Sequence, residues 1–224
     1  DGSIQAQLLK PLLSGPYDVI IQPKGGSQIV LTSGFTVKTA EIHSIEQGEG
    51  SAYEQITIKG RFLGTKKGKV NLEYEEGGQV ATKSCKVTKW YMDPVTNESE
   101  IFFIVPKMLP EVCDVVVVPY GALPSDKEAD AFTVKAPEII SVDPGQGSVD
   151  GQITISGNFF GSQKPKVYLS YESNGKPRNK SCSLVSWTDE SIVFTVPNLP
   201  VGDYDVIVTN SVGSAQYGQK FNIK

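Results

Sequence analysis

Gln152-Ile153-Thr154-Ile155-Ser156-Gly157 decides the fold. Apolar and polar residues alternate and the run halts at a glycine, as in a strand with one buried face. The same pattern stands 97 positions earlier as Gln55-Ile56-Thr57-Ile58-Lys59-Gly60. A fixed offset of this size marks a tandem duplication.

The match extends both ways. Glu41-Ile42-His43-Ser44-Ile45 answers Glu138-Ile139-Ile140-Ser141-Val142, and the offset holds through Phe62/Phe159, Gly64/Gly161, Tyr74/Tyr171, Cys85/Cys182 and Trp90/Trp187. Beyond the tryptophans it falls to 91, as at Pro106/Pro197 and Asp114/Asp205. The first copy therefore carries a six-residue insertion, placed at the turn-rich Asp93-Pro94-Val95-Thr96-Asn97-Glu98. A third, partial copy opens the chain. Tyr17-Asp18-Val19-Ile20-Ile21 matches Tyr204-Asp205-Val206-Ile207-Val208, and Phe35-Thr36-Val37-Lys38 matches the ends of the other copies. The expected organisation is an incomplete repeat at 1–39 and complete repeats at 40–136 and 137–224. The incomplete one reads as a piece of a longer protein or as a split module completed by another chain.

Alternation also assigns the inward faces. In the last copy they are Ile153 and Ile155, then Val167, Leu169 and Tyr171, then Ile192, Phe194 and Val196, then Tyr204, Val206 and Val208, then Phe221 and Ile223. Turns such as Asp143-Pro144-Gly145, Gly161-Ser162 and Asn174-Gly175 separate the runs. No helical period persists over the ~10 residues a helix needs. About seven short strands per copy predict an all-β chain of immunoglobulin-type sandwiches, two sheets closing on each other's single apolar face.

Composition sets limits on function. The chain has 224 residues, 39% of them hydrophobic, with 21 basic and 25 acidic side chains and a net charge of −4. That is globular composition, and its sign is wrong for binding nucleic acid through counterion release. No apolar run approaches the ~20 residues of a membrane span, and no basic-then-apolar leader opens the sequence. One His and three Cys are sparse material for catalysis or metal binding.

The order of motifs resembles the IPT/TIG family of immunoglobulin-like domains. Ile139 to Pro144 followed by Gly145, the stretch from Ile153 to Gly161, the Cys182-to-Asp189 strand leading into Trp-Thr-Asp, Ile192 to Pro197, and Gly202 to Asn210 all fit its pattern. The middle copy departs at Glu46, where Pro is lost, and at Cys113, where the other copies have Tyr. The resemblance implies tandem IPT/TIG sandwiches in an elongated arrangement. It implies little about function, since relatives serve as DNA-contacting domains, receptor stalks, enzyme accessory domains and bacterial surface repeats.

Each candidate for chemistry has a structural counterpart reading. Cys85 and Cys182 share one repeat position, and Cys113 lies on the inward parity of Val115 and Val117. Three buried free thiols are expected, with a Cys85–Cys113 bond as the alternative. Trp90 and Trp187 are expected to cap the core, as in the resembled family. Trp90 with its neighbour Tyr91 is the candidate platform for stacking a glycan. His43 stands alone, with no second imidazole for zinc and no nucleophile motif beside it. The acidic groups Asp93/Asn97/Glu98/Glu100 and Asp126/Glu128/Asp130 lack calcium-loop spacing and read as solvated loops. Lys66-Lys67-Gly68-Lys69 is the one basic cluster, too small to hold DNA on an acidic chain.

These readings predict a protein with no catalytic residues, metal or cofactor. The joints Lys38-Thr39-Ala40 and Lys135-Ala136-Pro137 are short, and Pro137 stiffens the second. The expected role is a spacer, adhesion or interaction segment of a larger bacterial cell-surface or secreted protein. Its partners would be other domains or proteins, with no nucleic acid and no membrane insertion. The alternatives are a glycan-binding accessory module and a strand-sharing subunit that self-associates through residues 1–38. In that last case Tyr17, Val19, Ile21, Phe35 and Val37 would lie uncovered.

Overall fold

A computed structural model describes residues 3–6, 12–121 and 126–224. Residues 1–2 and 7–11 of the first repeat, and 122–125 of the second, lie outside the described residues. Among the described residues every regular element is a strand.

The incomplete copy is a hairpin of β1 (Gly15–Ile21) and β2 (Ile29–Val37). The middle copy runs β3 (Glu41–Glu46), β4 (Glu49–Gly50), β5 (Gln55–Arg61), β6 (Lys69–Glu76), β7 (Gln79–Ser84), β8 (Lys86–Met92), β9 (Glu98–Ile104), β10 (Glu111–Val118) and β11 (Asp126–Val134). The last copy runs β12 (Glu138–Asp143), β13 (Gln146–Gly147), β14 (Gln152–Asn158), β15 (Lys166–Ser173), β16 (Lys176–Ser181), β17 (Ser183–Trp187), β18 (Ser191–Thr195), β19 (Gly202–Thr209) and β20 (Ser214–Ile223).

Each complete copy is a sandwich of a four-stranded and a five-stranded sheet. The orders are β3-β5-β9-β8 over β4-β11-β10-β6-β7, and β12-β14-β18-β17 over β13-β20-β19-β15-β16. Nine strands thus replace the seven expected. The two additions are invisible to periodicity for physical reasons. β16 is a wholly exposed edge strand of polar residues, held by its backbone ladder to β15. β4 and β13 are two residues long and pair parallel with β11 and β20.

The assigned faces are the observed cores. Ile153, Ile155, Val167, Leu169, Ile192, Phe194, Val196, Tyr204, Val206, Val208, Phe221 and Ile223 are buried in one cluster, with Tyr171 packed on its edge. The middle cluster contains Ile56, Ile58, Val70, Leu72, Ile101, Phe103, Val115, Val117 and Phe132. One edge-to-face pair spans both sandwiches at the same repeat position. Phe103 meets Phe132 and Phe194 meets Phe221, each at 6.4 Å between centroids.

The three final hairpins share a register. Tyr17 faces Phe35, Cys113 faces Phe132 and Tyr204 faces Phe221, and a bulge follows in each. The Tyr17 hydroxyl donates to Leu13 O at 2.9 Å and that of Tyr204 to Pro200 O at 2.7 Å, each four residues back. The β1–β2 hairpin keeps this geometry without a sandwich around it. Val19, Ile20, Ile29, Val30, Leu31 and Phe35 are exposed, and no described side chain of the hairpin joins either core.

Candidate functional site

Trp90 and Tyr91 are neighbours on β8, so alternation sends them to opposite faces. Trp90 packs on the middle core and its indole Nε1 donates to Gly64 O at 2.8 Å. Tyr91 points outward and is 50% exposed. The two rings therefore do not form the single platform expected from their adjacency. Tyr91 instead lines a cleft of about 320 Å³ with Lys59, Asp93, Thr96, Glu98, Ser99 and Glu100. Strand β9, which pairs with both β5 and β8, sets Lys59 and Tyr91 on either side of Glu100. Asp93 caps the adjoining turn by accepting from Val95 N at 2.7 Å and Thr96 N at 2.9 Å. Those bonds hold its carboxyl below the usual carboxylate range. The cleft thus offers one flat aromatic ring rimmed by fixed acceptors and one ammonium.

Trp187 does not cap its core as Trp90 does. A Cβ on Gly68 would come within 2.8 Å of Trp90 Cη2, so the absent side chain makes room for the ring. The last copy has the buried Pro165 at that position, and its Trp187 stands 37% exposed.

The remaining candidates are occupied by structure. Cys85, Cys113 and Cys182 are free, and Cys113 and Cys182 are buried. Burial pushes each thiol up to about 12, and for Cys85 the nearby Cys113 adds to the effect. Such thiols are inert as nucleophiles at neutral pH. His43 lies on edge strand β3 with Nε2 3.5 Å from Glu41 Oε2. Lys66 lies over the Tyr120 ring at 5.3 Å, and Lys67 donates to Val87 O at 2.6 Å. In the second acidic group, Asp126 accepts from Ile42 N and Lys127 bridges Glu73 and Asp114. Among the described residues no group of three or more His, Cys, Asp or Glu side chains could hold a metal ion. Nor, among the described residues, is any helix long and apolar enough to cross a membrane.

The sequence reading missed a second constellation, at the joint of the two complete sandwiches. Asn210 Nδ2 donates to Ser51 Oγ at 3.1 Å and to Phe159 O at 2.8 Å, while its Oδ1 accepts from Val212 N and Gly213 N. Ser162 Oγ donates to Tyr53 O at 3.1 Å. Val212, from the β19–β20 turn, is buried in the middle sandwich's core, and the linker's Ala136 packs beside it. A cleft of about 240 Å³ runs along this joint, lined by Ala52, Gly161, Lys164, Lys166 and Ser211 among others. A signal existed in the differences between copies. Asn210 stands where the middle copy has Pro119, and Glu54 where the last has Gly151.

Paired four- and five-stranded sheets, antiparallel except at the two-residue strands β4 and β13, define an immunoglobulin-like domain. Residues 137–223, the last sandwich, match the IPT/TIG domain family, and the middle sandwich repeats the topology of that segment. The chain is similar to the cyclomaltodextrin glucanotransferases of Paenibacillus macerans and Geobacillus stearothermophilus. It is 35% identical over 92 residues to the first (41% of this chain, 12% of that protein) and 36% over 91 to the second (40% and 12%). It therefore spans about an eighth of those relatives' length. Among solved structures, one determined with a xylogluco-oligosaccharide is 16% identical over 91% of this chain and 44% of its own, with a TM-score of 0.45.

Proposed function

We propose that this chain is a non-catalytic run of immunoglobulin-like modules, divided at 1–39, 40–136 and 137–224, within a larger secreted or cell-surface bacterial protein. Its role is to fix the spacing and orientation of the domains it joins. The observation that carries this reading is the joint itself. Val212 of one sandwich is buried in the core of the other, and Asn210 bonds to Ser51 across the boundary. A joint built this way transmits orientation, whereas a solvated linker does not. The cyclomaltodextrin glucanotransferase relatives support a parent protein that acts on polysaccharide. Small-angle scattering tests the reading: an elongated particle is expected, and a compact globule overturns it.

A second reading is glycan binding at Tyr91. Its exposed ring and the polar rim of Lys59, Asp93, Glu98 and Glu100 suit a sugar's apolar face and its hydroxyls. A glycan array followed by Tyr91→Ala tests it, and unchanged retention in the variant sinks it. The uncovered face of β1–β2 supports self-association through residues 1–38. Sedimentation across concentrations separates that case from independent monomers.

A further inference from the structure

We propose that the joint between the two complete sandwiches is a proton-operated latch, in which a hydrogen shared by the Glu54 and Asp189 carboxyls holds the modules in fixed orientation. Glu54 closes the 51–54 loop of the middle sandwich, and Asp189 sits in the β17–β18 turn of the last. Asp189 is already committed. Its Oδ1 accepts from Gly161 N at 2.8 Å, which orders the 159–162 loop against the joint. Glu54 has its Oε1 buried with no hydrogen-bond partner. Two carboxylates facing each other have acceptors only, so the orphaned oxygen stays unsatisfied unless one acid keeps its proton. A protonated Glu54 resolves this by donating to Asp189, a charge-assisted bond across the boundary.

The surroundings favour that state. Burial, and next the Asp189 charge, raise the Glu54 carboxyl from 4.5 to about 7, while a bond from the Ser51 backbone opposes the shift. The β19–β20 turn facing the loop, 210–213, brings no titratable group. The 159–164 loop brings Lys164, which with Lys166 lines the neighbouring cleft. On the loop's own side Glu49 is paired with Lys135 at 3.2 Å, Lys107 is exposed on the segment after β9, and Glu190 is exposed beside Asp189. Asp189 is the charge that acts on Glu54.

Opening the joint returns Glu54 to water and to its ordinary value. The closed form then binds the extra proton between about pH 4.5 and 7. Closure is therefore fully favoured below 4.5 and weakens as pH rises through 7, when the proton leaves to solvent and two carboxylates are left facing each other.

Hydrogen exchange of the whole chain at pH 5.5 and 8.5, corrected for the intrinsic rate, tests the latch. Protection in segments 51–54, 159–162 and 210–213 is expected to fall about tenfold or more between the two pH values, while the β14–β18 ladder holds. Glu54→Gln retains a donor at every pH, and its joint is expected to lose the pH dependence. Asp189→Asn removes the facing charge, and a carboxyl-detected titration of that variant is expected to show Glu54 ionising nearer its ordinary value. Equal pH dependence in wild type and Glu54→Gln overturns the proposal, as does a wild-type Glu54 that titrates near 4.5.

Discussion

The side-chain amide of Asn210 in the last sandwich lies 3.1 Å from the hydroxyl of Ser51, a buried residue of the middle one. The same side chain accepts two backbone N–H groups of its own turn, so it shapes the β19–β20 connection and fastens it to the neighbour at once. Asn210→Ala leaves those groups without partners and is expected to cost about 1–3 kcal/mol. Denaturant unfolding checks this. A single transition in the wild type is expected to separate into two in the variant as the modules lose their coupling.

One repeat position supplies its own control. Phe35, Phe132 and Phe221 share a register, but only the last two are buried, while Phe35 is 42% exposed. Phe132→Ala and Phe221→Ala are expected to destabilise their sandwiches by about 3–5 kcal/mol. Phe35→Ala is expected to change stability by less than about 1 kcal/mol. Urea melts of the three variants measure the contrast.

Edge protection is built into β7 and β16. Lys83 pairs with Leu72 and Lys180 with Leu169, and both leucines point inward. Directly paired residues share a face, so each lysine is a solvent-exposed charge on the core-side face of a sheet edge, which obstructs strand addition by another molecule. Lys180→Val is expected to raise the oligomer fraction in sedimentation velocity, and Lys180→Arg is expected to leave it unchanged.

The thiols provide a chemical test of burial. With folded values near 12, all three stay protonated at pH 8, and Cys113 and Cys182 are also buried away from reagents. Alkylation of the native chain is expected to run at less than about a hundredth of the rate in denaturant. Because the folded values exceed the unfolded value of 9.0, the stability these protonated thiols give is complete below pH 9. It is lost as pH rises from 9 to 12, at up to about 1.4 kcal/mol per pH unit for each thiol. Alkaline unfolding curves read that slope.

The sandwiches were legible in the sequence because their information is periodic and duplicated. Ile153 and Ile155 announce one buried face, and the 97-residue echo announces the same face in the middle copy at Ile56 and Ile58. Strand β16 carried no such mark, since an edge strand with every side chain in solvent imposes no hydrophobic alternation. Trp90 and Tyr91 are adjacent in sequence, but a pleated strand turns neighbours to opposite faces, so adjacency alone does not make a shared surface. Trp187 differs from Trp90 in its surroundings, since the last copy has Pro165 where the middle one has the Gly68 that leaves room for the Trp90 ring. The joint was unreadable for a different reason. Ser51, Glu54, Asp189 and Asn210 are brought together from three loops, and loop convergence has no period.

Parallel pairing of β4 with β11 and of β13 with β20 bears on how the chain responds to tension. Thr133 N and Lys135 N donate to Gly48 O and Gly50 O, and Asn222 N and Lys224 N to Gly145 O and Gly147 O. Each short strand lies near the entry of its module and its partner at the exit. A pull along the polypeptide drives the two strands past one another in shear, so both bonds of a pair must yield together. A hairpin peeled from one end would release them singly, at lower force.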